Sequence, residues 1–134
     1  VKEMKHLVAF LLVCASYFAY SQSTLKFCVE AAKGAVCLNP STEFDITKDG
    51  GTISLFVQPE DSIGTTRVLY RIYFMDAYGN EKEVNSITQA TEPGWVYAWQ
   101  DVVFYDPGTY KVNVYRTGTT ETLLCSGLVK LFCP

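Results

Sequence analysis

The chain has 134 residues and a formal net charge of −3, with 11 Lys and Arg against 14 Asp and Glu and no basic run. Phosphate binding needs a concentrated positive face, so nucleic acid is excluded as a partner. The length suits one packed core rather than two.

Residues 4–21, MKHLVAFLLVCASYFAYS, have the order of an export signal. Lys5 and His6 come first, an apolar run from Leu7 to Val13 shades into Cys14–Tyr20, and Ala19-Tyr20-Ser21 form a small-x-small cleavage site ahead of Gln22. The apolar part is shorter than the roughly 20 residues a membrane span needs. With a start at Met4, residues 1–21 are read as a signal peptide and residues 22–134 as a single mature domain without a membrane span. The destination is the medium, the periplasm or the cell surface. A lipoprotein signal cut before Cys14 fits less well, because Val13 is not the small residue that chemistry requires.

Four cysteines follow the signal: Cys28, Cys37, Cys125 and Cys133. An even number in an exported chain reads as two disulfides. Their spacings lack the C-x2-C of a zinc site, and the one histidine, His6, lies in the signal, so no metal and no cofactor is expected. If 121–132 form one extended strand, Cys125 and Cys133 stand about 26 Å apart at roughly 3.3 Å per residue, beyond the reach of a disulfide. A turn at Ser126-Gly127 would weaken that objection. The expectation is two bridges tying Cys28 and Cys37 to Cys125 and Cys133, nested or crossed.

Short β-type runs separated by turn residues recur along 22–134 and predict an all-β, antiparallel two-sheet sandwich of about seven strands. TLKFCVE (24–30) is the first run, and GTISLFVQ (51–58) follows the turn Lys48-Asp49-Gly50. RVLYRIYFM (67–75) alternates Val68, Tyr70, Ile72 and Phe74 against Arg67, Leu69, Arg71 and Tyr73. DAYGNE (76–81) turns the chain into a polar edge strand, KEVNSI (82–87). WVYAWQDVVFY (95–105), TYKVNVYR (109–116) and ETLLCSGLVKLF (121–132) complete the set, the last two joined by a hairpin-sized link at 117–120. No segment sustains a 3.6-residue apolar period, so helices are expected to be minor.

Asp106, Gly108 and Tyr110 in DPGTYKV (106–112) stand at D-x-G-x-Y spacing. This resembles the tyrosine corner of immunoglobulin-like sandwiches, where the tyrosine hydroxyl bonds a backbone group across the turn between sheets. Val102 and Phe104 match the inward positions of the strand before it. Val112 stands where antibody domains carry their second core cysteine, and 67–75 lacks the core tryptophan. The chain is therefore similar to bacterial immunoglobulin-like, fibronectin type III or PKD-type modules rather than to antigen receptors. The resemblance implies an immunoglobulin-like fold and, as a rule, an adhesive, structural or binding role.

Chemistry is sparse. With no histidine in 22–134, a hydrolytic triad is excluded, and the chain is not expected to be an enzyme. Glu60-Asp61 and Glu81 with Glu83 read as solvated carboxylates rather than an acid–base pair. Asp45, Thr47, Asp49 and Gly50 take the first positions of a calcium loop, but Phe56 falls where the bidentate acid belongs, so the stretch reads as a turn. The sharpest feature is WVYAW (95–99): Trp95, Tyr97 and Trp99 alternate with Val96 and Ala98. If Val96 and Ala98 continue the core face of Val102 and Phe104, the three aromatics line the outer face as candidate binding residues for a protein or glycan. A bulge near Gln100-Asp101 would swap the faces, and one or two rings would then close the core. The functional expectation is an exported interaction or adhesion module. A structural envelope component is the alternative, and an inhibitor presenting the loop 88–94 to a protease is a lesser one.

Overall fold

The computed structural model describes residues 22–32 and 36–134. The expected signal, residues 1–21 with Cys14, lies outside the described residues. Among the described residues there are ten strands: β1 (Thr24–Cys28), β2 (Glu30–Ala32), β3 (Val36–Leu38), β4 (Glu43–Asp45), β5 (Gly51–Gln58), β6 (Arg67–Met75), β7 (Glu81–Ala90), β8 (Ala98–Phe104), β9 (Gly108–Arg116) and β10 (Thr122–Phe132). Seven have five residues or more and correspond to the expected runs. The other three, β2, β3 and β4, have three residues each, too short to show a period.

One sheet has the order β1-β5-β8 and the other β4-β10-β9-β6-β7, while β2 and β3 form a separate hairpin. All pairings are antiparallel except β4 with β10. The core lies between the two sheets and follows the period of two. Ile53, Leu55 and Val57 of β5 and Ala98, Val102 and Phe104 of β8 face Val68, Tyr70 and Ile72 of β6 and Tyr110, Val112 and Val114 of β9, all buried. The polar strand β7 is an edge of the five-stranded sheet, as its composition predicts.

The connection from β8 to β9 carries the chain from one sheet to the other. Gly108 has φ 143°, and a Cβ there would fall 2.5 Å from Cε2 of Phe74, so both the backbone angle and the space select glycine. Two residues on, the Tyr110 hydroxyl donates to the Asp106 carbonyl at 2.8 Å. The Tyr110 ring meets Phe104 and Phe74 edge-on, with centroids 4.9 and 5.5 Å away. An aromatic plug and a local hydrogen bond thus hold the crossing.

The expected cysteine pairing is corrected. Cys28 is bonded to Cys37, with Cα atoms 5.5 Å apart, while Cys125 and Cys133 are free thiols. The chain does not run on past Cys28. It reverses at once through the β2–β3 hairpin, which pairs Glu30 with Leu38, and Val29 N–H donates to the Leu38 carbonyl at 3.0 Å. Cys37 therefore returns beside Cys28. At the other end β10 is continuous from Thr122 to Phe132 and keeps Cys125 away from Cys133. A bulge between Leu123 and Cys125 turns both Leu124 and Cys125 toward the core, where burial pushes the Cys125 thiol up to about 12.

Candidate functional site

The three aromatics expected at 95–99 lie together. The β5–β8 register runs unbroken from Gly51↔Phe104 to Val57↔Ala98, so no bulge swaps the faces. Ala98 points into the core at 1% exposure, and Trp99 therefore sits on the outer face, directly across from Phe56. Val96 does not join the core face: it is 63% exposed, because the regular strand begins only at Ala98. Tyr97 follows the face of Trp99, and Trp95 lies in the connector before β8.

That connector is held by its backbone. Ile63 N–H donates to the Trp95 carbonyl at 2.7 Å and Gly64 N–H to the Pro93 carbonyl at 2.9 Å. Trp95 N–H closes a turn onto the Glu92 carbonyl at 3.0 Å. Thr91 is tied to the Thr66 carbonyl through its N–H and to the Thr65 carbonyl through its hydroxyl. Each of these bonds removes backbone freedom, so Trp95 is presented from a fixed loop rather than a loose one.

Phe56, Tyr97 and Trp99 form a stacked ladder. The Phe56 and Tyr97 centroids are 5.9 Å apart with planes 20° from parallel; Tyr97 and Trp99 are also 5.9 Å apart, at 13°. Phe56 is only 1% exposed although it points away from the main core, because the rings beside it cover it. Beyond the ladder, a groove of about 600 Å³ is lined by Gln89 and residues 94–99. This lies within the range of ligand pockets. Among the described residues no charged side chain lines it.

Gln89 was not foreseen. It sits on β7 of one sheet and bridges to β8 of the other: its Oε1 accepts from the Tyr70 hydroxyl at 2.7 Å, and its Nε2 donates to the Trp99 carbonyl at 3.0 Å. Tyr70 is fully buried, and desolvation holds its phenol well above the ordinary value, with the nearby Cys125 adding to it. The only sequence signal is a glutamine two residues after Ile87, where an alternating strand would carry another apolar residue.

The remaining candidate residues lie elsewhere. Glu81 pairs with Lys111 at 3.1 Å, and Glu83 with Arg71 at 3.5 Å, so these two carboxylates belong to surface ion pairs. Arg71 also binds Glu121 at 2.9 Å and lies 5.7 Å above the Tyr115 ring, on the outer face of the five-stranded sheet. Glu60 and Asp61 are exposed in the loop after β5. Thr47 to Gly50 form a tight turn, in which the Thr47 hydroxyl donates to the Gly50 carbonyl at 3.0 Å and Gly50 has φ 103°. Among the described residues no group of three or more His, Cys, Asp or Glu is placed to hold a metal ion.

Beneath the β2–β3 hairpin the buried Ser54 hydroxyl donates to Asp101 Oδ1 at 2.5 Å and accepts from Ala31 N–H at 3.2 Å. The first links β5 to its cross-strand neighbour on β8, and the second seats the hairpin on the sheet. No histidine occurs among the described residues to act as a base toward it.

Comparison with solved structures gives the fold a relative. The chain is similar to an immunoglobulin-like protein from Pseudomonas aeruginosa, with a TM-score of 0.54 and 13% sequence identity over 84% of this chain and 98% of that one. No family model matches the chain, and no curated protein does. At this identity the likeness bears on architecture: the chain is an all-β, immunoglobulin-like sandwich.

Proposed function

We propose that the chain is an exported, non-enzymatic interaction module whose partner, a protein or a glycan, docks in the groove of Trp95, Tyr97 and Trp99. One observation carries this reading. Three aromatic side chains, each at least partly open to solvent, are gathered around one uncharged concavity on a rigid loop and strand. Aromatic anchors in a preformed pocket are what binding surfaces concentrate, since they supply large contact area at low entropic cost. Export is supported by the order of residues 4–21 and by the Cys28–Cys37 disulfide, a bond that persists in oxidising compartments. Among the described residues no helix is long and apolar enough to cross a membrane.

The test places the exported protein and its Trp95→Ala/Tyr97→Ala variant side by side on glycan and peptide arrays. The reading expects ligands held by the parent and lost by the variant, with a lower but still cooperative melting transition, because Tyr97→Ala uncovers Phe56 while the core between the sheets stays in place. Ligands held equally by both proteins would move the binding surface elsewhere. An absence of ligands on both arrays would favour the alternative, a structural envelope component. Mass spectrometry of the exported protein should show a chain starting near Gln22.

A further inference from the structure

Export leaves a reactive residue at the start of the domain. Cleavage after Ala19-Tyr20-Ser21 frees the α-amine of Gln22. Ser21-Gln22-Ser23 has the same small-x-small spacing, and a cut there would begin the chain at Thr24. The folded domain favours the earlier cut, because it makes use of Ser23. The Ser23 hydroxyl accepts from the Glu60 N–H at 3.0 Å and ties the start of the chain to the loop after β5. A chain beginning at Thr24 loses that tie and leaves the Glu60 donor to water.

A glutamine with a free α-amine holds a nucleophile and an electrophile in one residue. The amine reaches its own side-chain amide carbon through a small ring, so no encounter with a second molecule is needed. An α-amine titrates at about 8, which leaves a reactive unprotonated fraction near neutral pH. Ring closure fails where the residue is locked into a sheet or packed away. Gln22 is neither. It is exposed and precedes β1, whose first pair in the ladder with β5 is Thr24 with Gln58.

We infer that position 22 is a modification site and that the mature chain begins with pyroglutamate. The α-nitrogen of Gln22 attacks Cδ of its own side chain. The bond from that nitrogen to Cδ forms, the bond from Cδ to Nε2 breaks, and Nε2 leaves as ammonia with the proton the α-nitrogen gives up. Nothing is oxidised or reduced, and no second reactant is consumed. The lactam keeps the Gln22 carbonyl and all that follows, so the Ser23–Glu60 bond and β1 are untouched. What changes is the terminus, which loses its charge and the free amine an aminopeptidase requires. Protection matters here because β1 is the edge of its sheet, with Phe27 in the core and Cys28 in the disulfide. The inference rests on export with cleavage before Gln22 and adds the chemical state of the new terminus.

The experiment reads the N-terminal peptide of the exported protein by mass spectrometry, before and after treatment with pyroglutamyl aminopeptidase. The expected peptide begins at position 22, is lighter by one ammonia than its Gln22 form and takes no amine label. After the enzyme it should begin at Ser23. A synthetic peptide with Gln22 at its start, carried through the same work-up, should stay open. Gln22→Ala should give an unshifted mass and a labelled α-amine. A general aminopeptidase should remove the residues ahead of Thr24 from this variant and leave the parent whole. A parent peptide that begins at Gln22 with a free amine overturns the inference while leaving export in place, as does a chain that begins at Thr24. A chain that still begins at Met4, or at a lipidated Cys14, overturns the inference together with the cleavage it rests on. Ring closure in the synthetic peptide to the same extent as in the protein also overturns it, as does trimming of the parent at the rate of Gln22→Ala.

Discussion

Tyr110→Phe removes one oxygen from the crossing between the sheets and leaves everything else in place. Tyr110 is 5% exposed, and its hydroxyl donates to the Asp106 carbonyl at 2.8 Å. A hydrogen bond of this kind contributes about 0.5–1.5 kcal/mol net, and a partner left buried and unpaired raises the cost to as much as about 3 kcal/mol. Asp106 is exposed, so water can reach its carbonyl once the hydroxyl is gone, and the expected cost is about 1 kcal/mol. With an m-value near 2 kcal/mol/M, that displaces the urea midpoint by about 0.5 M with the slope unchanged. Tyr110→Ala also strips the ring from Phe74 and Phe104 and should cost about 3–5 kcal/mol. Tyr105→Phe is the control, because Tyr105 is 68% exposed and its hydroxyl has no hydrogen-bond partner among the described residues, so its midpoint should not move. Urea melts of the three variants read the difference. A Tyr110→Phe midpoint equal to that of Tyr105→Phe would mean that the hydroxyl contributes nothing and that ring packing alone holds the crossing.

The other predictions concern the thiols and the bridge between sheets. Non-reducing peptide mapping should recover Cys28 joined to Cys37, and a thiol reagent should label Cys133 in the native protein but leave Cys125 untouched until unfolding. Replacing both Cys28 and Cys37 by Ala should cost about 2.5 kcal/mol, the chain-entropy value for so short a loop, read from the melting midpoint. Alkali should destabilise the fold. The Cys125 thiol is raised by burial from 9.0 to about 12, so its contribution is whole below pH 9 and is lost as pH rises from 9 toward 12. Tyr70 and Tyr110, raised mainly by burial, add losses of the same sign above pH 10, and Cys125→Ala should flatten the stability profile between pH 9 and 10. Gln89→Leu leaves the buried Tyr70 hydroxyl without its acceptor and the Trp99 carbonyl without its donor, and should cost about 1–3 kcal/mol.

What could be read in the residues followed the range of the interactions involved. The spans 51–58 and 67–75 were legible to the residue, because an unbroken alternation between turn residues is local information. The hydrogen bond from the Tyr110 hydroxyl to the Asp106 carbonyl is equally local, since it joins a turn to the residue four places on. The β2–β3 hairpin was not: residues 30–38 carry Ala, Gly and Cys without alternation, and the partner of Cys28 depended on that reversal. Nor was the direction of Cys125, which rests on a bulge in β10 and hence on its fit to β9. For Trp95, Tyr97 and Trp99 the spacing showed that they alternate with Val96 and Ala98. Which side faced the core was set by the unbroken pairing of β8 with β5, a contact between segments forty residues apart in the chain. Gln89 was hidden most completely, because nothing near it in the chain foretells the Tyr70 hydroxyl and the Trp99 carbonyl.

If, as proposed, the Trp95–Tyr97–Trp99 groove is where this molecule meets its partner, the two indole groups report on it directly. In a nitrogen-15-labelled sample of the exported protein, each tryptophan gives one indole N–H resonance, and the sequence contains two tryptophans. Adding a ligand found on the arrays should shift both indole resonances while the amides of Val103 and Tyr105, at the far end of β8, stay in place. A ligand that binds with both indole resonances unmoved would contradict the claim.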